Sequence, residues 1–265
     1  MDFNTLYNLC KNSLSNFGKK PIEDVGKILS IVQSGKLPEE EVMSTTQKVY
    51  IKLYQEKKRG DLNQARQSWV VASGNNFEIF VRNLINTALN NEGIIAVKGD
   101  QLKHYLKAAE VVKFLTLKAS RRCTQTNTGI WPDSDIVLLA QDDNERLKAF
   151  ALLNCKTSDH SRNDSVLFWA LALRDNNIKY CLVTQDLDNR FVKGDKNAGS
   201  LRRKCEAYLD RVYTTNPFTE ECPQVQKLDF IKKNGIDSLL NDLRVWRKDI
   251  IPDSKISPIS AKSLE

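Results

Sequence analysis

Two short apolar runs, IVLLA at 136–140 and AFALL at 149–153, flank the polar stretch Gln141-Asp142-Asp143-Asn144-Glu145. No other stretch limits the possible folds as much. Asp and Asn supply the turn chemistry, and the runs on either side have strand length and strand composition, so the segment is expected to be a β-hairpin. Side chains alternate along a strand, which puts Asn154 and Lys156 on one face and Asp133 and Asp135 together on another strand's face. A turn centred between Asp143 and Asn144 would set Asp133 directly across from Asn154, with Cβ atoms roughly 5 Å apart. Lys156 would lie one diagonal away, and Asp135 would sit deeper, opposite Leu152. A slip of one residue would scatter these groups over both faces, so their convergence depends on register.

Downstream, residues 165–174 read as a helix and 178–184 as an apolar strand. Strand, helix, strand makes a crossover unit, so the last strand is expected to run parallel to FALLNCK. The expected fold class is therefore α/β, a mixed sheet flanked by helices. Residues 1–70 lack strand signals and form a helical N-terminal region. Phe3, Leu6, Leu9 and Cys10 recur at helical spacing, as do Val25, Ile28, Leu29 and Val32. A third helix opens at Pro38, carries Val42, Val49 and Leu53, and ends in Lys57-Lys58-Arg59 before Gly60. Residues 71–250 hold the core, and 251–265 form a tail. Within the core, Gly74-Asn75-Asn76 is expected to cap a helix bearing Phe77, Phe80, Val81, Leu84 and Ile85. A strand at 93–97, helices at 102–118, from Leu201 and at 225–248, and a loop marked by Pro217 and Pro223 complete the expected order.

Several function classes fall away on composition. No run approaches the roughly 18 apolar residues of a membrane helix, and the N-terminus MDFNTLYNLCKNSLSNFGKK is too polar for a secretory signal. The expectation is a cytoplasmic protein without a membrane partner. Six cysteines without a CxxC pair read as reduced thiols, and two histidines are too few for a histidine-based zinc centre. The net charge of +7 suits a polyanionic partner. Arg121, Arg122, Arg162, Asn163, Arg190, Lys193, Lys196, Arg202 and Arg203, most of them expected in loops beside the hairpin's charged cluster, are the candidate DNA-contacting groups.

Pro132-Asp133, an apolar strand, and Asn154-Cys155-Lys156 after a gap of 21 residues resemble the PD-(D/E)xK signature of type II restriction endonucleases. The likeness spans roughly residues 70–190. It departs at position 154, where the main pattern has Asp or Glu; a branch that cuts around CCGG cores carries Ser or Thr there and takes its second carboxylate from a helix. The resemblance implies a restriction-endonuclease-like fold and Mg²⁺-dependent, sequence-specific hydrolysis of double-stranded DNA. It also implies a homodimer and a cognate DNA methyltransferase within a restriction-modification system. Asp133 and Lys156 would be the catalytic pair, with Asp133 favoured over Asp135 because Pro132 precedes it. Asn154 and the backbone carbonyl of Cys155 would be neutral metal ligands, and Glu78 would supply the missing carboxylate from its helix. A repair or junction-resolving nuclease of the same fold, and a DNA-binding protein without catalysis, are the rival readings.

Overall fold

The computed structural model describes residues 48, 50–52, 54–56, 61–117, 129–142, 144, 146–157, 163–230 and 234–251. The chain divides into two compact units, Met1–Phe80 and Val81–Glu265. In the first, Tyr50 is buried, its hydroxyl lies 2.7 Å from Ser68 Oγ, and its ring meets Trp69. The long helix α1, Leu62–Leu89, starts in this unit and ends in the other. Asp61 caps it, its carboxylate accepting the Gln64 N–H at 2.8 Å.

The helix expected to begin after Gly74-Asn75-Asn76 does not begin there, because α1 runs straight through these residues. A glycine inside a helix costs about 1 kcal/mol relative to alanine. Phe77, Val81, Ile85 and Leu89 are all buried and recur every four residues. That stripe outweighs the local cost.

The second unit is built on one six-stranded sheet in the order β1 to β6. Its strands are β1 Ile94–Lys98, β2 Ile136–Gln141, β3 Leu147–Lys156, β4 Lys179–Thr184, β5 Arg211–Thr214 and β6 Val225–Lys227. β1, β2 and β3 form an antiparallel meander, and β3 through β6 run parallel. The hairpin and the parallel crossover onto β4 are as the sequence predicts. Helices α2 Ala109–Leu115, α3 Asn163–Ala172, α4 Ser200–Tyr208 and α5 Asp237–Ile250 complete the unit.

Two segments differ from expectation. The helix expected at 102–118 resolves into 3-10 turns at Gly99–His104 and Leu106–Ala108 followed by α2, with Tyr105 extended between the turns. The stretch expected to be helical from 225 begins as β6, paired in parallel with β5. β5 and β6 have four and three residues, too few for a period-two pattern to show. Neighbouring strands supply the hydrogen bonds that make them strands.

The core packs Val97, Val137, Leu139, Leu152, Tyr180, Leu182 and Val212 of the sheet against Val111 and Leu115 of α2 and Val166, Trp169 and Ala170 of α3. β2 is buried from Ile136 to Ala140 and β3 from Ala149 to Cys155. These two strands are covered on both faces, so they read as unbroken apolar runs. Among the described residues no helix is long and apolar enough to cross a membrane.

Candidate active site at the β2–β3 junction

The start of β2 and the end of β3 lie side by side, and here the charged groups collect. Ile136 pairs with Leu153, and the Asp135 N–H donates to the Leu153 carbonyl at 3.1 Å. The ladder therefore carries Asp135, not Asp133, to the position across from Asn154. The register expected from a turn centred between Asp143 and Asn144 is corrected by two residues. Gln141 pairs with Leu147, a displacement of one. The second comes from a bulge: Leu138 pairs with Ala151 and Leu139 with Ala149, which leaves Phe150 over. One step would have reversed the faces; two restore them.

Lys156 Nζ lies 3.2 Å from Asp135 Oδ2, and each side chain is one-quarter exposed. The same oxygen accepts the Cys155 N–H at 2.7 Å. Both bonds fall on Oδ2, so Oδ1 remains available to another partner. Asp133 is exposed, and its Oδ2 accepts from the Ser165 hydroxyl of α3 at 3.2 Å. Asn154 has no solvent exposure. Its amide donates to the Asp133 carbonyl and to the Tyr180 hydroxyl, both at 2.7 Å. Tyr180 in turn donates to the Asp133 carbonyl at 3.1 Å. Burial pushes the Tyr180 phenol well above its ordinary range, so it stays a proton donor. Behind the lead-in to β2, Gly99 donates its N–H to the Asp135 carbonyl at 2.9 Å. A Cβ on Gly99 would come within 2.0 Å of the Ser134 carbonyl oxygen, so only glycine fits there.

The donor set suits a hard cation. Two carboxylates, Asp133 and Asp135, two residues apart on the lead-in to β2 match Mg²⁺, which takes one or two carboxylates and fills its remaining positions with water and phosphate oxygens. Among the described residues no group of three or more His, Cys, Asp or Glu is placed to share a metal, which is what a zinc or calcium cage would need. Cys155 is buried and forms no disulfide.

The remaining candidates separate by position. Glu78 is buried on α1, in the N-terminal unit. Arg121, Arg122 and Arg162 lie outside the described residues, and Asn163 opens α3. Lys193, Lys196 and Arg203 are exposed, and Arg190 is half-exposed beside Asp188. Arg202 is a correction. It is 1% exposed, and its guanidinium donates to Glu206, to the Phe191 carbonyl and to the Glu220 carbonyl. A guanidinium buried in this way, with each nitrogen donating to the protein, is not presented to a phosphate.

The segment that carries Arg190 and Lys193 is tied to the end of β3. The Gln185 N–H donates to the Lys156 carbonyl at 3.0 Å and the Leu187 N–H to that of Thr157 at 3.3 Å. Asp186, buried and at a positive φ of 50°, accepts the N–H groups of Arg190 and Phe191. Tyr180, Ser165 and Asp186 went unnoticed in the sequence. Tyr180 pairs with Leu152, so it shares the Asn154 face. A polar-tipped aromatic in the apolar run KYCLVT is the signal that a known register would have made readable.

Against this geometry, residues 114–234 match the family described as BsaWI restriction endonuclease type 2. A protein of Methanocaldococcus jannaschii named "Putative type II restriction enzyme MjaVIP" is 25% identical over 185 residues, covering 66% of this chain and 79% of that protein. Residues 114–234 are thus similar to a type II restriction endonuclease domain. Its fold agrees. A crystal structure of the specific restriction endonuclease AgeI–DNA complex superposes with a TM-score of 0.51 at 15% identity, over 85% of this chain and 92% of that one. The pre-specific BsaWI–DNA complex covers 94% of each chain with a TM-score of 0.46 at 14% identity. The mixed sheet with flanking helices is thus the restriction-endonuclease-like fold, with the Asp133–Lys156 cluster inside the stretch that matches the family.

Proposed function

We propose that this endonuclease domain hydrolyses phosphodiester bonds in double-stranded DNA at a specific sequence, using Mg²⁺ held at the β2–β3 junction. The observation that carries the reading is the Lys156–Asp135 pair at 3.2 Å, one-quarter exposed, with Asp133 at the same strand end. Asp135 Oδ1 and the Asp133 carboxylate would hold the cation. The Cys155 backbone carbonyl is the neutral donor at the same strand end. When bound, Mg²⁺ supplies neutralisation of the scissile phosphate and acidifies the attacking water.

Lys156 does the remaining electrostatic work. Its ammonium, held by Asp135, reaches out from the end of β3 to meet the developing negative charge on a phosphate oxygen. Groups preorganised in this way lower barriers by several kcal/mol, because they need not reorient during the reaction. Ser165 steadies the Asp133 carboxylate through its hydroxyl. Lys193, Arg190, Lys196 and Arg203 are the exposed cations of the adjoining segments. Contacts to phosphates give affinity from such groups, and sequence selection comes from base-edge hydrogen bonds. AgeI was crystallised on DNA, which supports a DNA partner here. Two antiparallel strands need two such sites, which a homodimer on a palindrome provides. A methyltransferase of the same specificity would shield host DNA.

The test is incubation of the purified protein with unmethylated phage DNA and Mg²⁺ or EDTA. Discrete fragments with Mg²⁺ alone are expected, and the fragment ends give the site. Binding without cleavage under any divalent metal would move the protein to a DNA-binding role, with the neutral Asn154 as its first explanation.

A further inference from the structure

We propose that Tyr180 is a positioning residue of this site, and that position 154 works with it as a main-chain clamp rather than as a metal ligand. The two side chains together grip one atom, the Asp133 carbonyl oxygen, through Asn154 Nδ2 at 2.7 Å and the Tyr180 hydroxyl at 3.1 Å. They also bond to each other at 2.7 Å. Held in this way, the lead-in from Asp133 to Asp135 is fixed at both ends. At its other end Asp135 bonds to Leu153 through its N–H, to Gly99 through its carbonyl and to Cys155 through its side chain. The two carboxylates therefore leave a segment whose backbone is anchored at Asp133 and at Asp135. That is the preorganisation a hard cation requires of its oxygen donors.

The chemistry of position 154 follows from what the clamp needs. The Asp133 carbonyl is an acceptor, so its partner must donate. An amide carries two N–H donors and a carboxylate carries none. Asn154 spends both of them here, and its Oδ1 is left buried without a partner. Turning the amide over would satisfy Oδ1 at the Tyr180 hydroxyl but would strip a donor from the Asp133 carbonyl. The orphaned oxygen is the cost of holding that carbonyl. An aspartate at 154 would bring a charge to a site with no solvent exposure and set acceptor against acceptor. The departure from an acid at this position is then a change of task, from binding a cation to holding the chain that binds it.

This inference rests on the Mg²⁺-nuclease reading only for its effect on cleavage; the clamp itself is testable without metal. The variant is Tyr180→Phe, and the control is Tyr213→Phe, which removes an equally buried hydroxyl bonded to Asp242 at 2.6 Å. Amide hydrogen exchange at residues 133–136 in the metal-free protein should speed up on the order of tenfold in Tyr180→Phe and stay unchanged in Tyr213→Phe. In cleavage assays Tyr180→Phe should raise the Mg²⁺ concentration for half-maximal rate several-fold, while Tyr213→Phe lowers the melting temperature and leaves that midpoint alone. Asn154→Asp should lose both protection and Mg²⁺ response. Unchanged exchange at 133–136 in Tyr180→Phe would overturn the clamp. So would an equal shift of the Mg²⁺ midpoint in Tyr213→Phe, or Asn154→Asp cleaving at lower Mg²⁺ than the wild type. A wild-type protein that never cleaves would refute the nuclease reading instead, and the exchange measurement would still decide the clamp.

Discussion

Lys156 and Arg202 are both basic residues in the second unit, and the sequence offers little to tell them apart. Their surroundings separate them fully. Lys156 ends β3 with one carboxylate partner and a quarter of its side chain open to solvent. Arg202, on α4, is 1% exposed and bonds to two main-chain carbonyls and to Glu206. It ties the segment around Phe191 and the loop around Glu220 to its helix. A cation with spare donors at a strand end can meet a phosphate. One whose three guanidinium nitrogens each donate to an oxygen inside the protein holds the fold, because the planar fork is fixed and buried by those bonds.

The sharpest way to break this contrast is to remove both cations in turn. Lys156→Ala should cut the cleavage rate by about a hundred- to a thousandfold with little change in melting temperature. Arg202→Ala should do the reverse. Loss of a buried, fully bonded charge costs about 3–5 kcal/mol of stability, read as a lower denaturation midpoint, while any folded fraction keeps its Mg²⁺ response. An Arg202→Ala protein of wild-type stability but weak DNA affinity would contradict the structural role.

Next in size is the division between the two acids. Asp135→Asn weakens the Lys156 partner and one cation ligand together, so it should slow cleavage by at least as much as Asp133→Asn. Parallel Mg²⁺ titrations of the two variants decide the ranking. A smaller effect belongs to Asp186. Burial raises its carboxyl above the ordinary value of 3.8. The folded state thus favours the protonated form relative to the unfolded chain. Its contribution is greatest below the ordinary carboxylate value and is lost as pH rises through the raised folded value. The melting temperature of the wild type relative to Asp186→Asn should therefore fall as pH increases through that window. Smallest of all, Lys193→Ala and Arg203→Ala should each weaken DNA binding a few-fold and lower the salt slope by about one if each meets a phosphate.

Much of the site's surroundings was legible because it depends on local chemistry. The Asp-Asn turn and its flanking apolar runs announce a hairpin, and the crossover through α3 makes β4 parallel to β3. Face sharing survived as well, since parity tolerates the two-residue displacement. The register did not. A bulge at Phe150 leaves no mark in composition, because Phe150 is as apolar and as buried as its neighbours. For the same reason the expected register sets Asp133 across from Asn154, where Asp135 stands. The helix start at Gly74 misled because glycine and asparagine are local signals, and the Phe77–Leu89 stripe is a tertiary one.

Period, charge and turn chemistry act over a few residues, so the chain alone was enough to specify a mixed α/β fold with acids and a lysine brought together at one strand end. Which acid meets the lysine, which arginine is buried, and that Tyr180 and Asn154 grip the Asp133 carbonyl were left to packing. The acid and the clamp depend on partners 20 or more residues apart, and the arginine's burial on loops that fold back over its helix. A short strand gains its hydrogen bonds, and a polar side chain its task, only when the sheet has assembled around it.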